Sequence, residues 1–129
     1  MGSNRKPEVV QNFTASGAIG ANLAVYLSGA GVAVLSTAGT DLGVGINGPG
    51  ATADGAVAAV TLLGVEEAIA GAAVLVGKAL MATTGGKLVH ATAAAGTVVR
   101  VLGYALSAAA ADGDRINVFV CPHDSQIAD

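Results

Sequence analysis

The sequence predicts an all-β fold, a small barrel or sandwich of roughly eight to ten short strands built from two similar strand–turn–strand units. Three observations support this prediction. Apolar residues alternate with a period of two, glycine-containing turns separate the alternating runs, and the pattern occurs twice in 129 residues. Glycines interrupt each Ala-rich stretch before three helical turns accumulate, so helix is the weaker interpretation.

The clearest strand–turn–strand unit is Leu102–Val120. Odd positions in 99–105 share one face of its first strand, and even positions in 116–120 share one face of its second. The Asp-Gly pair that ends in Gly113 supplies the positive φ of a tight turn. We therefore predict turn glycines at Gly113 and, in the first copy of the unit, at Gly55.

The second copy of the unit is found by sliding the chain against itself. A shift of 58 positions superposes Gly45, Asp54, Gly55 and Val60 on Gly103, Asp112, Gly113 and Val118. A shift of 55 superposes residues 23–37, a predicted hairpin, on residues 78–92, and the change of shift implies a short insertion near Ala93–Ala95. We predict an internal duplication with repeats 15–64 and 65–121.

The elements are predicted in chain order as follows. Residues 1–13 are polar, contain Pro7 and form a flexible N-terminal arm, and residues 122–129 form a C-terminal tail. Residues 14–121 between them form a single β domain. Its strands are predicted at 23–28, 32–37, 43–47 and 56–65 in the first repeat, and at 78–83, 87–92, 99–106 and 116–121 in the second.

The composition indicates a protein that buries surface against partners. Charged residues make up 12% and aromatic residues 3% of the chain, whereas about 25% charged is typical. The strand Ala56–Val65 is apolar on both faces, which predicts that it lies inside a barrel or at a subunit contact. We therefore expect a homo-oligomer.

Charge and hydropathy argue against two classes of partner. The net charge is −3, whereas a nucleic-acid binder normally shows a basic patch, so no nucleic acid is expected. The uncharged run Ala15–Leu35 is long enough to span a bilayer, but four glycines and several polar residues interrupt it. No membrane partner is expected. The single cysteine, Cys121, excludes an intrachain disulfide.

No motif predicts catalysis. Gly17 and Gly20 imitate a dinucleotide-binding turn, but the third glycine and the acidic residue that closes the second strand are missing. The segment Gly71–Ala79 fails as a phosphate loop in spacing and in its last residue. Cys121 and His123 offer two metal ligands where zinc takes four. We expect no enzyme, no cofactor and no metal.

The second half of the chain resembles a known family. Its motifs are Gly77–Thr83, the turn Gly86-Lys87, the Ala-rich segment Ala91–Gly96, and the strands Val101–Leu106 and Ala110–Val118. Together they resemble the small Ala/Gly-rich head decoration, or capsid cement, proteins of tailed bacteriophages. Residues 15–63 resemble the N-terminal half of that family more loosely.

The resemblance implies a non-enzymatic virion protein on the outer surface of the expanded capsid. Such proteins bridge neighbouring major capsid subunits, resist the pressure of packaged DNA and act as small oligomers, with a trimer favoured over a dimer. The family often uses an N-terminal arm to grip the shell. We therefore expect Val9, Val10 and Phe13 to contact the capsid.

Two alternatives stay open at this point. One is a nucleotide-binding α/β enzyme built on the segment with Gly17 and Gly20. The other is a different virion β-protein, such as a tail-tube or fibre component, because a fold does not fix a function.

Overall fold

The computed structural model describes residues 8–93 and 95–126 and shows an all-β protein, as the sequence predicted. Within these residues the helical content is a single 3-10 turn, Thr84–Gly86. The nine strands are β1 Val9–Ala15, β2 Ala24–Gly29, β3 Val32–Leu35, β4 Gly43–Asn47, β5 Val57–Ile69, β6 Ala79–Ala82, β7 Leu88–His90, β8 Val98–Ala105 and β9 Arg115–Gln126.

The first five strands form a closed barrel. The order of hydrogen-bonded neighbours is β1-β3-β2-β4-β5, and the additional pairing of β1 with β5 closes the ring. The pairing of β1 with β3 is parallel, and the others are antiparallel. We call this barrel, with β5 up to Leu63, the first unit.

The long strand β5 passes from the first unit into a second group of strands. From Gly64 onward it pairs with β9, and the order continues through β8 and β6 to β7. A parallel bridge between Ala70 and Leu88 returns β7 to the end of β5. We call the part from Gly64 onward the second unit.

The backbone hydrogen bonds of the two units correspond at the shifts of 55 and 58 positions. Ala15 accepts a hydrogen bond from Gly55 N–H at 2.8 Å, and Ala70 accepts one from Gly113 N–H at 2.8 Å. The reciprocal bridges Ile19↔Thr52 and Val74↔Ala109 also lie at nearly equivalent positions. The two units therefore share one hydrogen-bonding plan. A gene duplication as its origin stays a prediction.

Two clusters of buried side chains form the core. The cluster inside the first unit contains Phe13, Ala15, Ile19, Val25, Ala33, Ala58 and Val60. The larger cluster contains twelve residues of the second unit together with Ala24 and Ile46 of the first. Because these two side chains point away from the first barrel, they show where the second unit packs against it.

The predicted N-terminal arm of residues 1–13 is wrong for its last five residues. Val9–Ala15 forms β1, whose residues 9–14 pair with β5, and Phe13 is 7% exposed in the first core. The polar neighbours of Phe13 face solvent, which gives the segment the composition of an arm although its backbone is fully paired. Residues 1–7 lie outside the described residues.

The predicted C-terminal tail is also too long. β9 continues to Gln126, and residues 123–126 pair with residues 98–101 of β8. The register between β8 and β9 shifts near Pro122, which lacks the N–H that a regular ladder requires. The last three residues of the tail and Ala94, within the predicted insertion, lie outside the described residues.

Candidate interaction surface

The predicted turn glycines lie in equivalent turns of the two units. Gly55 has a φ of 80° and Gly113 a φ of 93°, which is the left-handed region that glycine adopts without strain. Asp54 accepts a hydrogen bond from Gly17 N–H at 2.8 Å, and Asp114 accepts two from the backbone of Ala110 and Ala111. These aspartates therefore hold turns, as short acidic side chains commonly do.

The segment that imitates a dinucleotide-binding turn has no helix. Gly17 lies in a bend, Ile19 bridges to Thr52, and the chain then enters β2. A phosphate-binding turn of that type needs the N-terminus of a helix, and no α-helix occurs in residues 8–93 or 95–126. The structure therefore removes the basis for the nucleotide-binding alternative.

Cys121 and His123 lie on β9 beside Tyr104. His123 Nε2 is 3.3 Å from Tyr104 Oη, and the two rings stack with centroids 5.9 Å apart. Burial raises the pKa of the Cys121 thiol, so the thiol is a weak nucleophile at neutral pH. No group of three or more His, Cys, Asp or Glu side chains in the described part of the chain could hold a metal ion.

An open hollow of about 260 Å³ is lined by residues 47–52 together with Val57 and Ala59. The side-chain amide of Asn47, one of these lining residues, donates to Gly20 O at 3.0 Å. Among the described residues, no helix has the length and apolar character to cross a membrane.

Of the three predicted contact residues, two lie on the surface. Val9 and Val10 are 49% and 50% exposed at the start of β1, whereas Phe13 is buried in the first core. Phe13 therefore stabilises the fold, and only Val9 and Val10 are placed to contact a partner in this conformation. Val9 pairs with Leu63, another half-exposed apolar residue.

Cross-strand neighbours form a matching row of four residues on the outer face of each unit. The outer row of the first unit is Val10, Thr61, Ile46 and Ala24, and the outer row of the second unit is Val65, Phe119, Tyr104 and Ala79. Members correspond at shifts of 55 or 58 positions. In the first row, all but Val10 are buried, whereas Val65, Phe119 and Tyr104 are 37%, 41% and 36% exposed.

Polar groups also join the two units. Asn22 is buried, has a φ of 60°, and donates from Nδ2 to Glu67 O at 2.8 Å. Arg115 donates to Asn22 Oδ1 and to Glu67 Oε1, both at 2.9 Å. We call these three residues the Asn22 clamp. It fixes a loop of the first unit to the shared strand β5 and to β9.

Sequence analysis did not single out the second outer row or the Asn22 clamp. The signal for the row was present, because Phe119 and Tyr104 alternate with buried residues and belong to a chain with only four aromatic residues. Two aromatic side chains on a solvent-facing strand surface commonly indicate a contact site. The clamp joins residues 93 positions apart and leaves no local pattern.

The fold and its surface define a class of protein: two tandem all-β units that share one strand, the first a closed barrel and the second with an exposed, mainly apolar outer row. No protein-family model matches the chain, and no curated protein matches it in sequence. The fold is similar to the crystal structure of the head fiber gp8.5 N base in bacteriophage phi29, with a TM-score of 0.64 and 21% sequence identity. The match covers 88% of this chain and 93% of that chain.

Proposed function

We propose that the chain is a structural virion protein that binds the outer surface of the expanded phage capsid and bridges major capsid subunits. The observation that carries this proposal is the match to nearly the whole base of a phage head fiber, a protein associated with the phage head. The sequence motifs that resemble capsid cement proteins support it independently. The finer role of stabilising the head against DNA pressure comes from that resemblance.

The exposed apolar surface supports binding to a large protein partner. Thirteen large hydrophobic side chains are exposed among the described residues, in a chain that carries few charges. Exposed apolar groups of this number are typical of proteins that bury surface in an assembly. We accordingly propose a non-enzymatic role, with the major capsid protein and further copies of the chain as partners.

Val9 and Val10 are the proposed capsid contact. They lie at the start of β1, where the chain enters the barrel, and β5 supplies Leu63 beside them. β1 pairs with β5 only as far as Leu63, and β9 takes over from Gly64, so this site borders both units. A partner that binds here would contact the junction of the two units.

Binding to heads that lack the protein tests the proposal. Purified protein is mixed with expanded heads from a phage deleted for the gene, and bound protein is measured by co-sedimentation and located by electron microscopy. We expect density on the outer head surface and a higher temperature of head disruption. Density on the tail instead would favour the tail-tube or fibre alternative, and no binding to either would contradict the proposal.

The contact residues are tested with the double substitution of Val9 and Val10 by lysine. These side chains are half-exposed, so the fold is retained while the charges oppose an apolar contact. We expect binding to heads to weaken by at least about tenfold. Val76→Lys, an exposed valine in the second unit, is the matched control and should bind normally. Unchanged binding of the double variant would exclude this contact.

A further inference from the structure

The chain contains one example of a unit docked on an outer row. The second unit covers Ile46 and Ala24, which become part of its own core cluster. This contact lies beside the start of β8. Arg100 donates its backbone N–H to Gly39 O and its guanidinium to Gly43 O, both at 2.8 Å.

Leu102 completes this contact. A Cβ at Gly43 would lie 2.8 Å from Leu102 Cδ2, so the lack of a side chain at Gly43 lets the two units approach closely. Leu102 is fully buried, although it alternates with the inward-facing residues of β8. We call Arg100 and Leu102 the covering positions of the second unit.

The outer row of the second unit has the same strand pairings but stays exposed at Val65 and Phe119, and within the described residues the His123 ring stacks on Tyr104. Val65 pairs with Phe119, Phe119 with Tyr104, and Tyr104 with Ala79. These pairs reproduce those of the covered row in the first unit. Phe119 is larger and more apolar than Thr61, the buried residue to which it corresponds, and Tyr104 is larger than its counterpart Ile46.

The covering positions also have counterparts, on the first unit. Leu42 and Val44 precede Arg100 and Leu102 by 58 positions. Leu42 is 62% exposed, among the most exposed large hydrophobic residues described. Val44 packs against the first core, so Leu42 is the exposed member of this pair. One chain thus exposes an apolar row on its second unit and, on its first unit, an apolar residue at the position equivalent to Arg100.

We propose that a second copy of this chain docks with the Leu42 side of its first unit on the Val65–Phe119–Tyr104–Ala79 row of the first copy. The contact uses the surfaces that correspond to those packed within one chain, with the apolar Leu42 at the position of Arg100. Such a contact is head-to-tail, and head-to-tail contacts close into rings or continue as filaments according to their rotation.

The chemistry of the two surfaces favours a second copy as the occupant. Leu42, Val65 and Phe119 are exposed and apolar, so their association removes hydrocarbon from water. An aromatic pair at the centre of a contact commonly supplies much of its binding energy. The inference goes beyond binding to the capsid, and its test uses the full chain in solution without capsid.

Sedimentation equilibrium over a range of protein concentration tests the proposal with three variants and one control. Phe119→Lys and Tyr104→Ser alter the row, Leu42→Asp alters the opposite surface, and Val76→Lys is the control. We expect each of the three to raise the dissociation constant at least about tenfold, and the control to match wild type. Circular dichroism and thermal melting establish that each variant folds. If Phe119→Lys does not fold, Tyr104→Ser tests the row in its place.

Mixing the variants distinguishes a head-to-tail contact from a symmetric one. The Phe119→Lys chain keeps an intact Leu42 surface, and the Leu42→Asp chain keeps an intact row. An equimolar mixture should therefore form a one-to-one dimer although neither variant associates alone. A wild-type chain that stays monomeric up to about 1 mM would overturn the proposal. The proposal would also be overturned if Phe119→Lys lost association while Leu42→Asp kept it, or if the mixture of the two variants did not form a dimer.

Discussion

The two units have the same backbone plan and different surroundings. In both, a glycine lies where a neighbouring strand leaves no room for a side chain. A Cβ at Gly45 would overlap Thr61 O, and a Cβ at Gly103 would overlap Phe119 O, the equivalent atom. Each Cβ would also lie 3.0 Å from a valine methyl group, of Val60 and Val118 respectively. The close approach of the neighbouring strand therefore requires a glycine at the equivalent position of both units.

The side chains that hold corresponding loops differ between the units. Asn47 holds the loop that follows β1 through hydrogen bonds to Ile19 O and Gly20 O, but its counterpart is Ala105. In the second unit His90 Nε2 accepts the N–H of Leu75 at 3.0 Å instead. Core side chains have diverged as well, since Phe13 corresponds to Ala68 and Ala58 to Ile116. The shared plan therefore rests on backbone hydrogen bonds and glycines, and the side chains of each unit fit its own packing.

The largest expected effect is the loss of either close-approach glycine. Gly45→Ala and Gly103→Ala should each destabilise the fold by at least about 4 kcal/mol, because the obstacle is backbone and cannot rotate away. Urea unfolding monitored by circular dichroism measures the change.

Gly50→Ala is the control for these two variants, since nothing lies within 4 Å of its Cβ position and its φ is not positive. Equal losses of unfolding free energy in Gly45→Ala and Gly103→Ala would support the correspondence between the two units. A wild-type unfolding midpoint for either variant would contradict it.

The Asn22 clamp gives the next largest effect and has no counterpart in the second unit. Asn22→Ala should cost about 3 kcal/mol, from lost hydrogen bonds to Glu67 and Arg115 and from a left-handed φ that alanine resists. Asn22→Gly removes the hydrogen bonds without the backbone strain, so it should cost about 1 kcal/mol less. Denaturant midpoints measure both.

The equivalent position, Gly77, is the matched control for the clamp. It also has a positive φ, at 86°, and a Cβ there would meet open space. Gly77→Asn should change stability little, because asparagine tolerates this conformation and no clamp partner is close. If Gly77→Asn destabilised the protein as much as Asn22→Ala, the backbone conformation and not the clamp would explain the loss.

The sequence contained the strand pattern and the repeat because both depend on local chemistry. Alternating apolar residues, Asp-Gly turns and the superposition of Gly45 on Gly103 led to the all-β fold. β1 was missed because only Phe13 and Ala15 of its residues are buried, which leaves too few apolar positions for a period to be recognised. The end of β9 was missed because the predicted strand ended at Cys121, whereas the pairing with β8 continues beyond Pro122 to Gln126.

The candidate surface could be predicted only in part. The alternation placed Phe119 and Tyr104 opposite the buried faces of their strands, but it could not show that Ile46 is covered while Tyr104 is not. That difference arises from the packing of the second unit on the first, which joins residues far apart in the chain. The same limit explains Phe13, whose burial depends on pairing between β1 and β5.

The smallest expected effect compares the two Asp-Gly turns, at Gly55 and Gly113. Both glycines have positive φ, and a Cβ at either position would meet nothing within 4 Å, so a larger side chain causes backbone strain and no clash. Gly55→Val and Gly113→Val should each cost about 1–2 kcal/mol, less than the close-approach glycines. Asparagine at either position should be better tolerated than valine.

Thermal melting measures each variant, and the double variant should show the sum of the two losses because the turns share no contact partner. Melting of Gly113→Val at the wild-type temperature would show that this turn is not constrained by its φ, and unequal losses would show that the two turns are constrained to different degrees.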